Sequence, residues 1–261
     1  MVGQNIITSM TVPPLIPQEV EAKLLVPRAA VFQAITRLKR LGPYRLRPRR
    51  IARLHTIYLD TPEFTLAHCR TALRLRRHGT RWEASVKWEG QSDGIVYARP
   101  ELTVQLSSSP SLPFRLPPGP LADQLSSLVA KQPLTPILIS DVRRQRFAVF
   151  STRLAEDNAL AELALDEVHL RAPDPHTSLV STYWEVEIEL ETNGTEQDLR
   201  TFVGLLQQRF SLTPSDGGKF HRGLALLYGP GLIASEATNK GLVSRQPRAA
   251  KRKAKIPTTQ Q

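Results

Sequence analysis

Acidic and apolar residues alternate along Glu19-Val20-Glu21-Ala22-Lys23, and again along Glu185-Val186-Glu187-Ile188-Glu189-Leu190-Glu191. A period of two predicts β-strands in which every acid of a segment shares one face. Basic residues alternate in the same way in Leu73-Arg74-Leu75-Arg76, and Ser85 and Lys87 share a face in Glu83-Ala84-Ser85-Val86-Lys87-Trp88. Alternation and turn residues (Asp60-Thr61-Pro62, His78-Gly79 and the stretch 90–94) predict an antiparallel meander over 55–59, 72–77, 81–88 and 96–106. Further strands are predicted over 20–26, 137–140, 142–151, 160–170 and 181–191. Helical spacing of apolar residues predicts helices over 29–41 (Val31, Ile35, Leu38, Leu41), 121–131 (Leu125, Leu128, Val129) and 196–210 (Leu199, Phe202, Val203, Leu206, Phe210). Asn193-Gly194-Thr195 is suited to end the last strand and cap the last of these helices, and a short final helix is predicted near Lys219. On it Lys219 and Arg222 would share one side.

Taken alone, either acidic segment also describes an edge strand with its acids in water. The matching basic strands change that picture. Same-face residues lie roughly 6.6 Å apart along a strand, so carboxylates lining a shared inner surface repel unless cations stand between them. Anionic and cationic strand faces together predict a chamber for phosphate and a hard metal ion.

A chain of 261 residues with 41% hydrophobic content can bury one sizeable core. The expected organisation is a flexible segment over 1–17, one domain over 18–233 and a disordered basic tail over 234–261. From Ser235 onward seven Lys or Arg stand against Glu236 alone, so the tail carries about half of the formal charge of +11. Such a tail suits solubility and at most a weak contact with a polyanion. Residues 1–17 lack a basic stretch followed by a long apolar run, which predicts neither signal peptide nor membrane span, hence a cytoplasmic protein. Cys69 is the single cysteine, excluding an intrachain disulfide and a multi-thiolate metal site. His55, His68, His78, His169, His176 and His221 show no ligand spacing and read as structural or exposed.

In order along the chain, these residues resemble the triphosphate tunnel metalloenzymes, also called CYTH proteins. The Glu-x-Glu-x-Lys signature stands here as Glu19, Glu21 and Lys23. Tyr58-Leu59-Asp60-Thr61 followed by Leu73-Arg74-Leu75-Arg76, then Lys87, Arg99 with Glu101, Arg144, Leu165-Asp166, Glu187-Ile188-Glu189 and finally Lys219 with Arg222 are similar to the family's later motifs. Pro100 departs from the pattern and is expected to limit its segment to an edge or irregular strand, and Leu102-Thr103 replaces a second acid often found there. Many bacterial relatives continue into a helical, histidine-rich domain, whereas here only the basic tail follows Gly231, which reads as a stand-alone catalytic domain.

The resemblance implies an α+β, mainly antiparallel fold: a closed eight-stranded β-barrel with helices packed outside and a polar tunnel inside. It implies that Lys23, Arg74, Arg76, Lys87, Arg144, Arg146, Lys219 and Arg222 bind substrate phosphates. Glu19, Glu21, Glu187 and Glu189 would hold Mg2+ or Mn2+ with Glu101 and Asp166 completing the shell, and Glu19, Glu21, Lys23, Glu187 and Glu189 would carry catalysis. Without substrate the cations are expected to repel one another across the lumen. The implied reaction is metal-dependent hydrolysis of a triphosphate compound, foremost inorganic triphosphate to diphosphate and phosphate. Alternatives are a class IV adenylyl cyclase, a thiamine triphosphatase with an aromatic clamp from among Trp82, Trp88, Trp184 and Tyr97, or a non-enzymatic polyanion-binding module.

Overall fold

The computed structural model describes residues 16–152, 158–174, 176, 179–215 and 217–232. The basic tail and nearly all of the N-terminal segment lie outside the described residues. The chain runs through β1 (Gln18–Val26), α1 (Ala29–Thr36), β2 (Arg40–Leu41), β3 (Tyr44–Pro48), β4 (Ala52–Asp60), α2 (Thr65–His68), β5 (Ala72–His78), β6 (Arg81–Lys87), β7 (Gln91–Ser92) and β8 (Val96–Leu106). It continues with α3 (Pro120–Val129), β9 (Thr135–Ser151), β10 (Ala161–Arg171), β11 (Leu179–Leu190), α4 (Glu196–Phe210), β12 (Thr213–Pro214) and α5 (Gly218–Tyr228), and ends in a 3₁₀ turn at Pro230–Leu232. Eight strands follow one another as β10-β11-β1-β8-β6-β5-β4-β9, and β9 pairs back onto β10. All these pairings are antiparallel, so the sheet closes into a barrel.

Closure gives each strand an inner and an outer side, and the alternation of residue types decides which is which. Outward residues make the apolar core. Ala22, Leu24, Leu163, Leu165, Val186 and Ile188 meet Phe32 and Ile35 of α1 and Leu199, Phe202, Val203 and Leu206 of α4. On the other flank Leu59, Leu73, Leu75, Ala84 and Val86 meet Leu121, Leu125 and Val129 of α3. Helix α4 starts where predicted: Thr195 Oγ1 accepts from the Asp198 amide at 3.2 Å, and the Asp198 carboxylate accepts from the Thr195 amide at 3.1 Å. Helix α5 packs across one end of the barrel, with Phe220 and Leu224 among Leu54, Tyr58, Leu138, Val142 and Val168. Gly223 permits this approach, since a Cβ there would lie 2.3 Å from a Leu138 methyl.

Three expectations are corrected. The helix predicted over 29–41 stops at Thr36, because Gly42, at φ +54°, and Pro43 form a two-residue loop that pairs Leu41 with Tyr44. Leu38 and Leu41 are buried all the same, which is why their spacing imitated a longer helix. The two strands predicted over 137–151 are one strand of 17 residues, β9, in which Asp141 points outward and binds His55 and Arg171. Pro100 does not mark an edge: Val96–Pro100 of β8 pairs with β1, and Glu101 onward with β6. The proline stands where the strand changes partner, so its missing N–H costs the β6 ladder nothing.

Candidate functional site

The inward residues of these strands surround a cavity of about 340 Å³. Glu19, Glu21 and Lys23 of β1, Arg74 and Arg76 of β5, Lys87 of β6, Arg144 of β9, Glu187 and Glu189 of β11 and Lys219 of α5 all line it. Tyr58-Leu59-Asp60-Thr61 contributes differently. Tyr58 reaches the cavity wall, but the buried Asp60 carboxylate accepts from the amides of Thr61, Leu66 and Ala67 at 2.7–2.8 Å and so anchors α2. That turn delivers the chain into β5 with Arg74 and Arg76 facing inward.

The cations do not repel one another bare across the lumen as expected, because carboxylates neutralise nearly all of them. Lys23 Nζ is 3.0 Å from Glu21 and 3.1 Å from Glu187. Arg74 donates to Glu101 at 2.8 Å, and Lys87 binds both Glu19 and, at 3.0 Å, Glu101. Arg144 forks onto Asp166 at 2.8 and 2.7 Å and also binds Glu187, while Arg99 binds Glu21. Burial alone would raise the Glu187 carboxyl, yet Lys219, Lys23 and Arg144 hold it well below the usual carboxylate range. In the same way Glu21 and Glu101 are held down at about 2 against their own burial, by Lys23, Lys87 and Arg99 and by Arg74 and Lys87 respectively. Arg76 differs. Its Nε donates to Thr56 at 3.2 Å, no carboxylate pairs with it among the described residues, and burial with Arg74 and Arg144 nearby lowers it to about 10. Among the described residues the lumen thus keeps one cation without a carboxylate partner.

It keeps uncommitted negative charge as well. Glu189 stands directly opposite Glu21 across β1–β11 and opposite Glu162 across β10–β11, a like-charge arrangement that destabilises a bare sheet. No ion pair engages Glu189 among the described residues, and desolvation at the wall together with Glu19 and Glu21 pushes its carboxyl up to about 7. Deeper in, carboxylate oxygens of Asp166, Glu185 and Glu187 lie within 4.8 Å of one another. The Lys219 ammonium sits among them, 2.8 Å from Asp166 and from Glu187 and in contact with Glu185. Glu185 is fully buried, one of its oxygens has no hydrogen-bond partner among the described residues, and burial pushes its carboxyl up to about 7 in spite of Lys219. An all-oxygen donor set in which Glu189 and one Glu185 oxygen stand unpaired among the described residues fits a hard divalent cation.

The remaining expected site residues lie elsewhere. Glu101 and Asp166 pair with wall residues without lining the cavity themselves. Arg146 lies off the wall, forked onto Glu162 at 2.6 Å with 40% of its side chain exposed. Arg222 is also off the wall, its guanidinium 4.7 Å from the centre of the Tyr183 ring. Sequence reasoning left Arg99, Tyr58, His221 and the Gly217-Gly218 pair out of the site, yet all line the cavity. For Arg99 the signal was present, since it shares a strand face with Glu101. His221 is isolated in sequence and carried none.

Comparison with known proteins agrees with this architecture. Among solved structures, a putative adenylyl cyclase from Hippeastrum, described as having a dominant triphosphatase activity, aligns over 79% of this chain and 95% of its own at 17% identity, with a TM-score of 0.51. A putative adenylate cyclase from Bacillus halodurans aligns over 78% and 95% at 18% identity, with a TM-score of 0.50. At these identities the likeness concerns the fold. The family model of the CYTH domain matches residues 17–224, the whole barrel and most of α5. The chain belongs to the CYTH family.

Proposed function

We propose that this barrel is a metal-dependent hydrolase of triphosphate compounds, with inorganic triphosphate as its foremost substrate. The observation that carries the reading is the convergence of Lys23, Arg74, Arg76, Lys87, Arg144 and Lys219 with Glu19, Glu21, Glu187 and Glu189 on one cavity. Guanidinium groups grip phosphate oxygens in pairs and ammonium groups supply compact charge, so the basic half suits a phosphate chain. The acidic half would serve a polyanion-binding module poorly, because four inward carboxylates oppose an anion unless metal ions stand between. Glu19, Glu21, Glu187 and Glu189 are the residues to hold Mg2+ or Mn2+, which when bound supplies Lewis-acid polarisation of phosphoryl oxygens. Arg76, which no carboxylate pairs among the described residues, is suited to receive the first phosphate, while the cations already paired must exchange carboxylate for phosphate. Water attacks the terminal phosphorus in line, and the chain leaves as diphosphate.

A second reading has its own support. Trp88 and Tyr97 line the same cavity, and such surfaces suit an organic group attached to the triphosphate, as in cyclisation of ATP or hydrolysis of thiamine triphosphate. The paired variant Glu187→Gln/Glu189→Gln tests the common core of both readings. Turnover should be lost, by about 10³-fold or more, and unchanged turnover would remove these carboxylates from the site.

A further inference from the structure

His221 is the one histidine on the cavity wall among the described residues. It lies in the first turn of α5, two positions after Lys219, with Nδ1 2.7 Å from the Gly217 carbonyl oxygen. A carbonyl can only accept, so Nδ1 must carry the proton, and in the neutral ring Nε2 is a bare acceptor. Among the described residues nothing donates to Nε2. The ring is seated by design of the backbone: Gly217 has φ +75°, and a Cβ there would lie 2.7 Å from the Cβ and Cγ of His221. The Phe220 ring meets it edge-on, with centroids 5.6 Å apart. The same turn adjoins the catalytic corner, since a Cβ on Gly218 would stand 3.5 Å from the Lys23 stem, and Lys23 itself bridges Glu21 and Glu187.

Hydrolysis requires a group that takes a proton from the attacking water. Most wall carboxylates are already engaged: Glu19 by Lys87, Glu21 by Lys23 and Arg99, Glu187 by Lys23, Arg144 and Lys219, and Glu89 by Arg70; Glu189, which no ion pair engages among the described residues, is left to the metal ion. We propose that His221 Nε2 is the proton acceptor of the reaction, an inference that rests on the triphosphatase reading. As the water oxygen bonds to the terminal phosphorus, one water proton passes to Nε2. The bond from that phosphorus to the bridging oxygen breaks, and its electron pair leaves with diphosphate. The imidazolium then returns its proton to solvent. Burial keeps the imidazole below its ordinary value; Arg99 and Lys23 add to this, while the Gly217 carbonyl and Glu89 oppose it, so the ring is neutral and able to accept at pH 7.

The test compares wild type with His221→Gln and His221→Ala for hydrolysis of inorganic triphosphate from about pH 5 to pH 9, alongside calorimetric binding of triphosphate in EDTA. Loss of a general base predicts a fall in kcat of about 10²-fold, disappearance of the acidic limb of the profile, and partial rescue of His221→Ala by added imidazole. Triphosphate affinity should stay within roughly twofold, which separates proton transfer from mere positioning of substrate. A kcat within a few-fold of wild type, a retained acidic limb, or a parallel loss of binding would overturn the proposal. A wild type inert toward inorganic triphosphate would instead overturn the activity reading on which it stands.

Discussion

Arg144 and Arg146 stand two residues apart on the same face of β9, and each forks onto a carboxylate of β10, Asp166 or Glu162. Their surroundings separate them. Asp166 is wholly buried, and Arg144, 14% exposed, also touches Glu187 and lines the cavity. Arg146 is 40% exposed, and its Glu162 is shared with Arg49, which in turn binds Glu191 at 2.8 Å. One strand therefore carries a buried fork inside the cavity and a half-exposed fork outside it. Identical pair chemistry lines the cavity at one point and fastens the barrel at the other, because the dielectric surroundings and the company of other charges differ.

Substitutions should separate the two forks. Arg144→Ala is expected to have the largest effect, a loss in kcat/KM of about 10² to 10³. It should also lower stability, since breaking a buried pair costs about 3–5 kcal/mol, and Lys219, 2.8 Å from Asp166, would offset part of that. Comparable activity in the variant would mean that the cavity does not bind its substrate through β9. The smallest effect should be that of Arg146→Ala: turnover within about threefold and stability within about 1 kcal/mol, as for exposed pairs in general. Turnover lost equally in both variants would erase the distinction.

Between these extremes lies a difference in pH response. Glu185, beside the buried fork, has its carboxyl raised from 4.5 to about 7 chiefly by burial. The folded chain therefore holds a proton there that the unfolded chain has released, and stability falls as pH rises from 4.5 toward 7. Glu162, at the exposed fork, is held below its ordinary 4.5 despite partial burial by Arg146 and Arg49, so its contribution is present above 4.5 and lost as pH falls below it. In metal-free buffer the Tm advantage of Glu185→Gln over wild type should widen from pH 4.5 to 7. The Tm deficit of Glu162→Gln should close below pH 4.5. Parallel melting profiles for the two variants would contradict the assignment.

Much of this molecule was legible as text. Alternation in the Glu19, Arg74, Lys87 and Glu187 segments identified strands with one charged face, and a barrel follows when every such face must meet another. Residues on the wall obey that parity. Parity could not tell how far along the axis a residue sits, so Arg146 joined Arg144 among the expected phosphate contacts, while Glu185 was left out of the expected metal shell although it is fully buried beside Lys219. Helical spacing alone likewise paired Arg222 with Lys219, while the fold turns Arg222 onto Tyr183. The hairpin of β2 and β3 was missed because its two apolar anchors also fit a helix, and short strands leave little period to read. His221 acquires meaning only when α5 brings it to the wall of the cavity that Lys23, 198 positions earlier in sequence, also lines.

The central claim is that one cavity both binds a triphosphate and hydrolyses it with a divalent metal. The most direct test is ³¹P NMR of inorganic triphosphate and, separately, of ATP, incubated with the purified protein and Mg2+ or Mn2+ against an EDTA control. The account predicts metal-dependent appearance of phosphate and diphosphate from inorganic triphosphate, faster than any release from ATP. Diphosphate with cyclic AMP from ATP, and an unchanged spectrum for inorganic triphosphate, would contradict it.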